Sequence, residues 1–217
     1  MRIPIAKEGF PVIAIPFALA VISLLAGFSW PAGILLALTL FTLYFFRDPE
    51  RHIPVDKGAI LSPADGKLIQ IRELPAGEAL ECPSICLSIF MSVFNVHVNR
   101  MPYDGKILKK TYNPGKYLPA FREKASLLNE QTSICMDTEG GPLRVTQIAG
   151  LIARRIVCKV QEGDIVPRGE RFGLIKFGSR LDLYLPQKNT RVVAQIGDRV
   201  RAGETVMACF HSFPSIP

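Results

Sequence analysis

Histidine is scarce in this chain: of 217 residues only three are His, at His52, His97 and His211. Zinc sites need about four ligands, and although Cys82 and Cys86 have a spacing that zinc accepts, no second ligand pair accompanies them. No metal site is expected. The five cysteines are an odd number, and Cys86, Cys135 and Cys158 sit in apolar runs, which excludes a disulfide framework and points to core packing. Sustained heptads are also missing, so a long coiled coil is excluded. The most informative absence is charge. Residues 9–46 contain no Asp, Glu, Lys or Arg, and Arg47-Asp48-Pro49-Glu50-Arg51 follows at once.

As one helix that run would measure roughly 57 Å, nearly twice the ~30 Å hydrocarbon core of a bilayer. Gly27-Phe28-Ser29-Trp30-Pro31 interrupts it with turn formers and an interfacial Trp. The halves, residues 11–26 and 32–46, predict a hydrophobic helical hairpin, spanning or re-entrant. A cleaved signal peptide is the rival, since Ala18-Leu19-Ala20 fits a cleavage site, but a secretory apolar region is not followed by a second of equal length. Arg2 and Lys7 precede the run and Arg47 and Arg51 follow it, which places both ends in the cytoplasm under the positive-inside rule. Residues 1–52 are therefore expected to anchor the chain in the cell membrane, with residues 53–217 as a domain on its cytoplasmic face.

That domain reads as mainly β. Short strands separated by Gly, Pro and Asp turns are predicted at residues 58–71, 85–91, 95–101, 106–112, 142–148, 155–160, 171–177, 181–185, 191–196 and 205–210, with one helix at 118–131. A repeat sharpens the architecture. Gly163-Asp164-Ile165-Val166-Pro167-Arg168-Gly169-Glu170 and Gly197-Asp198-Arg199-Val200-Arg201-Ala202-Gly203-Glu204 share the pattern G-D-x-V-x-x-G-E, a tight turn with one inward apolar residue. Ser62-Pro63-Ala64-Asp65-Gly66-Lys67 looks like a related turn. Such turns resemble the barrel-sandwich hybrid of lipoyl and biotin carriers, although no modifiable hairpin-tip Lys stands out.

The stretch Phe177-Gly178-Ser179-Arg180-Leu181-Asp182 carries the chemistry. Gly178 has no Cβ, so the Ser179 hydroxyl can approach its carbonyl closely, and turn strain favours attack. An N-to-O acyl shift gives an ester; elimination frees the Gly178 carboxylate and leaves dehydroalanine, which hydrolyses to an N-terminal pyruvoyl group. On turn statistics alone, Gly-Ser is an ordinary loop.

Further motifs stand in fixed order: Ser62-Pro63-Ala64-Asp65-Gly66, Asn95-Val96-His97-Val98-Asn99-Arg100, Tyr112-Asn113-Pro114-Gly115-Lys116, and Ile148-Ala149-Gly150-Leu151-Ile152-Ala153-Arg154-Arg155-Ile156. With Phe177-Gly178-Ser179-Arg180 they resemble the phosphatidylserine decarboxylases of the short bacterial and archaeal type. The resemblance implies decarboxylation of phosphatidylserine to phosphatidylethanolamine and CO2, through a Schiff base with a pyruvoyl cofactor made from Ser179. It also implies self-cleavage into fragments 1–178 and 179–217 that remain a heterodimer. Longer family members carry two histidines three positions apart where this chain has His97 and Arg100. Either His97 serves both processing and decarboxylation, or Arg100 or a water takes one step.

Imidazole is the natural proton carrier near neutral pH, and His97 is the one histidine inside a matched motif. The resemblance suggests that Asp65 orients it, giving an Asp65-His97-Ser179 arrangement of the triad kind. Nearly all of the net charge of +7 lies beyond His52, which suits an anionic membrane and the phosphate and carboxylate of phosphatidylserine. Nucleic-acid binding, the other reading of a basic chain, does not fit the hairpin. Candidate substrate contacts are Lys116, Arg154, Arg155 and Arg180; Arg154 and Arg155 are strand neighbours and should point to opposite faces. Residues 112–121 read as a lid or a packed surface insert. The rival from another class is a non-catalytic membrane-anchored adaptor with a lipoyl-like domain, which leaves Gly178-Ser179 and His97 without a purpose.

Overall fold

Where backbone cannot reach water it must hydrogen-bond to itself, and the uncharged segment does so as two helices, α1 (Phe10–Leu25) and α2 (Ser29–Phe45). The computed structural model describes residues 3–116, 129–150, 155–176 and 178–211. It divides the chain into two units, Met1–Glu50 and Arg51–Pro217. The break between the helices is tighter than the sequence suggests. Gly27 adopts a φ of 81° and the Phe28 N–H reaches the Ser23 carbonyl at 2.8 Å. Trp30 and Pro31 thus fall in the first turn of α2, where backbone N–H groups have no partner within the helix and Pro is tolerated.

The two helices pack on each other. Small side chains are buried within this unit, among them Ala20 of α1 and Ala32 and Thr39 of α2, while Ile15, Ile22, Leu25, Ile34 and Leu40 are exposed. Thr39 and Thr42 satisfy their hydroxyls inside the helix, on the carbonyls of Leu35 and Thr39. Large apolar side chains outward and small ones inward invert the soluble pattern and suit a lipid solvent. Together with a preceding 3-10 turn, the 19 residues Lys7–Leu25 are long and apolar enough to cross a membrane by length and composition; α2 is shorter.

The second unit is β throughout its described residues. Its strands are β1 (Ala59–Leu61), β2 (Gly66–Leu74), β3 (Ser84–Met91), β4 (Val98–Arg100), β5 (Gly105–Asn113), β6 (Gln131–Asp137), β7 (Leu143–Ile148), β8 (Ile156–Cys158), β9 (Ile165–Val166), β10 (Arg171–Ile175), β11 (Ser179–Pro186), β12 (Thr190–Val192), β13 (Arg199–Val200) and β14 (Val206–Phe210). Eight of them form one curled antiparallel sheet in the order β13-β2-β3-β11-β7-β6-β5-β9. Two three-stranded sheets, β1-β14-β12 and β4-β10-β8, complete the unit. Leu68, Leu87, Ile89, Val145, Leu181 and Leu183 alternate inward along the central strands and are buried in one core with Phe172 and Met207.

The strand β6 escapes the sequence reading. Residues 118–128 of the predicted helix lie outside the described residues, and its last residue, Gln131, opens β6 instead. Thr132, Ile134 and Met136 alternate inward there, but polar neighbours and a short run mask the period.

The repeated turn closes both edges of the large sheet. In the first copy the Gly163 N–H binds the Ile107 carbonyl and β9 pairs with β5; in the second the Gly197 N–H binds the Leu68 carbonyl and β13 pairs with β2. Asp164 and Asp198 accept from the N–H of Gln161 and Gln195, at 2.7 and 2.8 Å. Gly169 and Gly203 both adopt a φ of 75°. Each stands against Ile53, and a Cβ added at Gly203 would lie 3.6 Å from the Gly169 Cα, so the copies meet where neither position has room for a side chain.

Candidate active site

After β3 ends at Met91, the chain turns through Ser92, Phe94 and Asn95 before β4. The Ser92 backbone N–H and hydroxyl both donate to Asn95 Oδ1, at 2.9 and 2.8 Å, so the Asn side chain holds its own turn. That fixes the Asn95 carbonyl, which lies 2.9 Å from Nδ1 of the buried His97. A carbonyl can only accept, so Nδ1 carries the hydrogen and the neutral ring keeps its lone pair on Nε2. The Ile175 N–H, at the end of β10, donates to the His97 carbonyl at 3.4 Å. His97 therefore flanks the segment that leads, four residues on, into Ser179.

Ser179 begins β11, which runs between β3 and β7 in the middle of the sheet. It is fully buried opposite Met91, with its hydroxyl 3.4 Å from Met91 Sδ. A thioether is a weak acceptor, so this contact holds the hydroxyl loosely. Asn99 Nδ2 approaches the same sulfur at 3.8 Å and is itself held by Gln147 Nε2 on Asn99 Oδ1, at 2.8 Å. Met91 is thus the meeting point of β4 and the start of β11. The preceding Gly178 has a φ of 59°, in the left-handed region that costs other residues about 1–2 kcal/mol. An added Cβ there would meet nothing within 4 Å, so the requirement for glycine is conformational.

Asp65 does not take the position expected of it. Its carboxylate is bound by Arg51 Nη2, at 2.8 and 3.0 Å, and by the Ala202 N–H at 2.8 Å, rather than by the imidazole. The expected direct Asp65–His97 bond is replaced by Asn95 on one side and Arg51 on the other. The two sites still adjoin, because Asp65 and Asn95 line one cleft of about 680 Å³. Glu204 also leans on Arg51, at 3.3 Å. Burial pushes its carboxyl up, but the Arg51 charge and the His52 N–H outweigh that and leave it below the ordinary value.

Among the expected substrate contacts, Arg180 is buried and paired within the sheet. It is 1% exposed, and its Nε and Nη2 grip Asp182 at 2.7 and 3.2 Å while Nη2 also donates to Ser88 at 2.6 Å. Its charge is committed to Asp182 and Ser88 rather than displayed to solvent. Arg154 lies outside the described residues, as do residues 117–121 of the suggested lid and Phe177. Lys116 and Arg155 are exposed. Arg100, expected as one alternative partner in the chemistry, is buried and donates to the Gly169 carbonyl at 2.9 Å, tying β4 to the first repeat turn. Sequence reasoning passed over Arg51, Asn95, Met91 and the cations of the cleft, Lys67, Arg199 and Arg201. Of these only the two arginines carried a signal, as departures between the repeat copies.

Comparison with known proteins agrees with the motif order. The family model described as phosphatidylserine decarboxylase matches residues 38–208. A phosphatidylserine decarboxylase proenzyme of Syntrophus aciditrophicus is 51% identical over 211 residues, covering 95% of this chain and 97% of that protein. Proenzymes of the same name from Nitrosomonas europaea and Desulfotalea psychrophila are 47% and 46% identical, over 95% of this chain in both cases and 95% and 96% of their own lengths. The chain belongs to the phosphatidylserine decarboxylase family and is a carboxy-lyase of the proenzyme type.

Proposed function

We propose that this protein cuts itself between Gly178 and Ser179 and then decarboxylates phosphatidylserine to phosphatidylethanolamine. The observation that carries the reading is the left-handed Gly178 directly before a buried serine at the entrance to β11. In this reading the Ser179 Oγ attacks the Gly178 carbonyl carbon, the amide nitrogen leaves as an amine, and an ester forms. Loss of the Ser179 α-proton expels the Gly178 carboxylate; the resulting dehydroalanine takes up water and releases ammonia. The pyruvoyl group so made supplies a ketone that engages the serine amine and draws electrons as CO2 departs.

The residues present suit that chemistry. His97, with Nδ1–H held on Asn95, keeps Nε2 to accept the Ser179 hydroxyl proton and later to hold the proton delivered to the product carbon. Asp65 is a positioning residue that fixes the Ser62–Gly66 turn lining the same cleft as Asn95. The core around Met91 buries the Ser179 side of the reacting bond, while Gly178 is half-buried and leaves a side from which water can enter for the hydrolysis step. The apolar helix pair supports anchoring in the cell membrane, where the substrate is dissolved, with the β unit on the cytoplasmic side.

A denaturing gel with intact-mass analysis tests the reading. Wild-type protein is expected as two fragments, 1–178 and 179–217, the smaller with a ketone in place of its amino terminus, and Ser179→Ala as one chain. An uncleaved wild type with full activity would refute it. His97→Ala is expected to abolish CO2 release from any processed fraction.

A further inference from the structure

The repeat supplies an internal control. Its two copies share their turn hydrogen bonds and their second-glycine φ, and each adds an edge strand to the large sheet. They differ at three positions: Ile165 and Pro167 in the first copy become Arg199 and Arg201 in the second, exposed in both, and the half-buried Arg168 becomes the buried Ala202. At the first edge Lys106 faces Ile165; at the second, Lys67 faces Arg199 directly across the antiparallel pair. Like charges directly opposite one another destabilise a sheet. Since the first copy closes its edge without this pair, the cations of the second are not a requirement of the fold.

They sit where the cleft is. Lys67, Arg199 and Arg201 line it together with Asp65, Asn95 and Phe94. Its one lining carboxylate does not neutralise it: Asp65 is bound by Arg51, and Glu204, outside the lining, is shared between Arg51 at 3.3 Å and Arg201 at 3.7 Å, leaving Lys67 and Arg199 in excess. Phe94 projects at 64% exposure from the turn whose Asn95 carbonyl holds His97. The cleft thus combines fixed positive charge, an exposed aromatic ring and the backbone that orients the imidazole. Its volume of about 680 Å³ suits a small-molecule ligand.

We propose that this cleft is the headgroup subsite for the substrate. Lys67, Arg199 and Arg201 hold the phosphodiester of a serine glycerophospholipid, the serine end faces the His97 turn, and Phe94 lies against the glycerol and first acyl carbons. The proposal rests on reading His97 and Ser179 as the reacting centre.

The test measures CO2 release from phosphatidylserine diluted in neutral detergent micelles, so that general attraction to an anionic surface is absent. Arg199→Ile installs the residue of the first copy; Lys67→Gln and Arg201→Gln provide variants at other positions, and completed self-cleavage reports folding for each. Each lost cation is expected to raise KM about tenfold, the equivalent of one charge-assisted hydrogen bond. Turnover at saturation is expected to stay within about twofold. Soluble glycerophosphoserine is expected to inhibit the wild type and to lose that potency in Arg199→Ile. Inorganic phosphate inhibiting as well as glycerophosphoserine would overturn the headgroup assignment in favour of a generic anion site. An unchanged KM in the Lys67→Gln/Arg199→Ile double variant would overturn the proposal while leaving the decarboxylase reading intact. A wild type that neither cleaves itself nor releases CO2 would refute that underlying reading instead.

Discussion

The ion pair between Arg180 and Asp182 gives the sharpest stability prediction. Both side chains are within 1% of complete burial, joined at 2.7 Å, on the strand whose first residue is Ser179. Asp182→Asn keeps the shape and removes the charge, leaving the guanidinium buried among neutral acceptors, the new amide oxygen with Ser88 and Gln70. Breaking one side of a buried pair costs about 3–5 kcal/mol, a large share of the ~5–15 kcal/mol that holds a typical fold. For a unit of this size each kcal/mol moves the melting temperature by about 2–4 °C, so the expected fall is about 6–20 °C. The measurement belongs in a Ser179→Ala background, where one uncut chain unfolds. A double change, Arg180→Met with Asp182→Leu, removes charge and desolvation cost together and is expected to recover most of the loss. The reasoning fails if Asp182→Asn lowers the melting temperature by less than about 2 °C, as an exposed pair would. It fails equally if the double variant is no more stable than the single.

Three further outcomes follow from the same geometry. Gly169→Ala places a Cβ 2.2 Å from Ile53 Cδ1 at a φ of 75°, whereas Gly163→Ala, at 92°, meets nothing within 4 Å; chemical denaturation should show a loss of about 1–2 kcal/mol for Gly163→Ala and a larger one for Gly169→Ala. Because Glu204 has its carboxyl depressed in the folded state, its stabilising contribution is full above the ordinary value of 4.5 and disappears as pH falls through the folded value; melting curves of Glu204→Gln should decline less steeply below pH 4.5 than those of wild type. The Cys86 thiol is pushed up to about 11, by burial first and by Asp182 second, so mass spectrometry should find it unalkylated at pH 8 in native protein and fully alkylated once unfolded.

The hairpin, the β class and the edge-closing repeat were legible because each rests on a local pattern: missing charge, turn residues at short intervals, and eight residues seen twice. The serine proposed to react drew notice through its neighbours, since Gly178 is needed for a backbone conformation and His97 is scarce. What the sequence does not display is partnership across distance. Arg51 reads as one of several basic residues after the hairpin, yet its guanidinium takes the carboxylate of Asp65, fourteen residues on, and that of Glu204 at the far end of the chain. Asn95 reads as a turn former, and its function lies in a carbonyl that every residue possesses. Arg180 illustrates the same point: a basic residue beside Ser179 suggests a substrate contact, and only the register of β11 against β3 reveals that it points inward to Asp182 and Ser88.

The position of Gly178 also bears on how such a chain would survive being cut. Residues 179–217 supply β11, β12, β13 and β14. β11 pairs with β3 along all of Ser179–Pro186 and with β7 from Arg180 to Tyr184, while β13 pairs with β2 and β14 with β1. Every one of those partners lies before residue 178. A break between Gly178 and Ser179 therefore severs one peptide link and leaves each ladder intact, with Leu181, Leu183 and Leu185 still in the shared core. The bond is dispensable to the fold because it lies at the mouth of a central strand rather than within it. The same placement holds residue 179 in the sheet, beside Met91 and close to the strand that follows His97, so a reactive group formed there stays where the serine was.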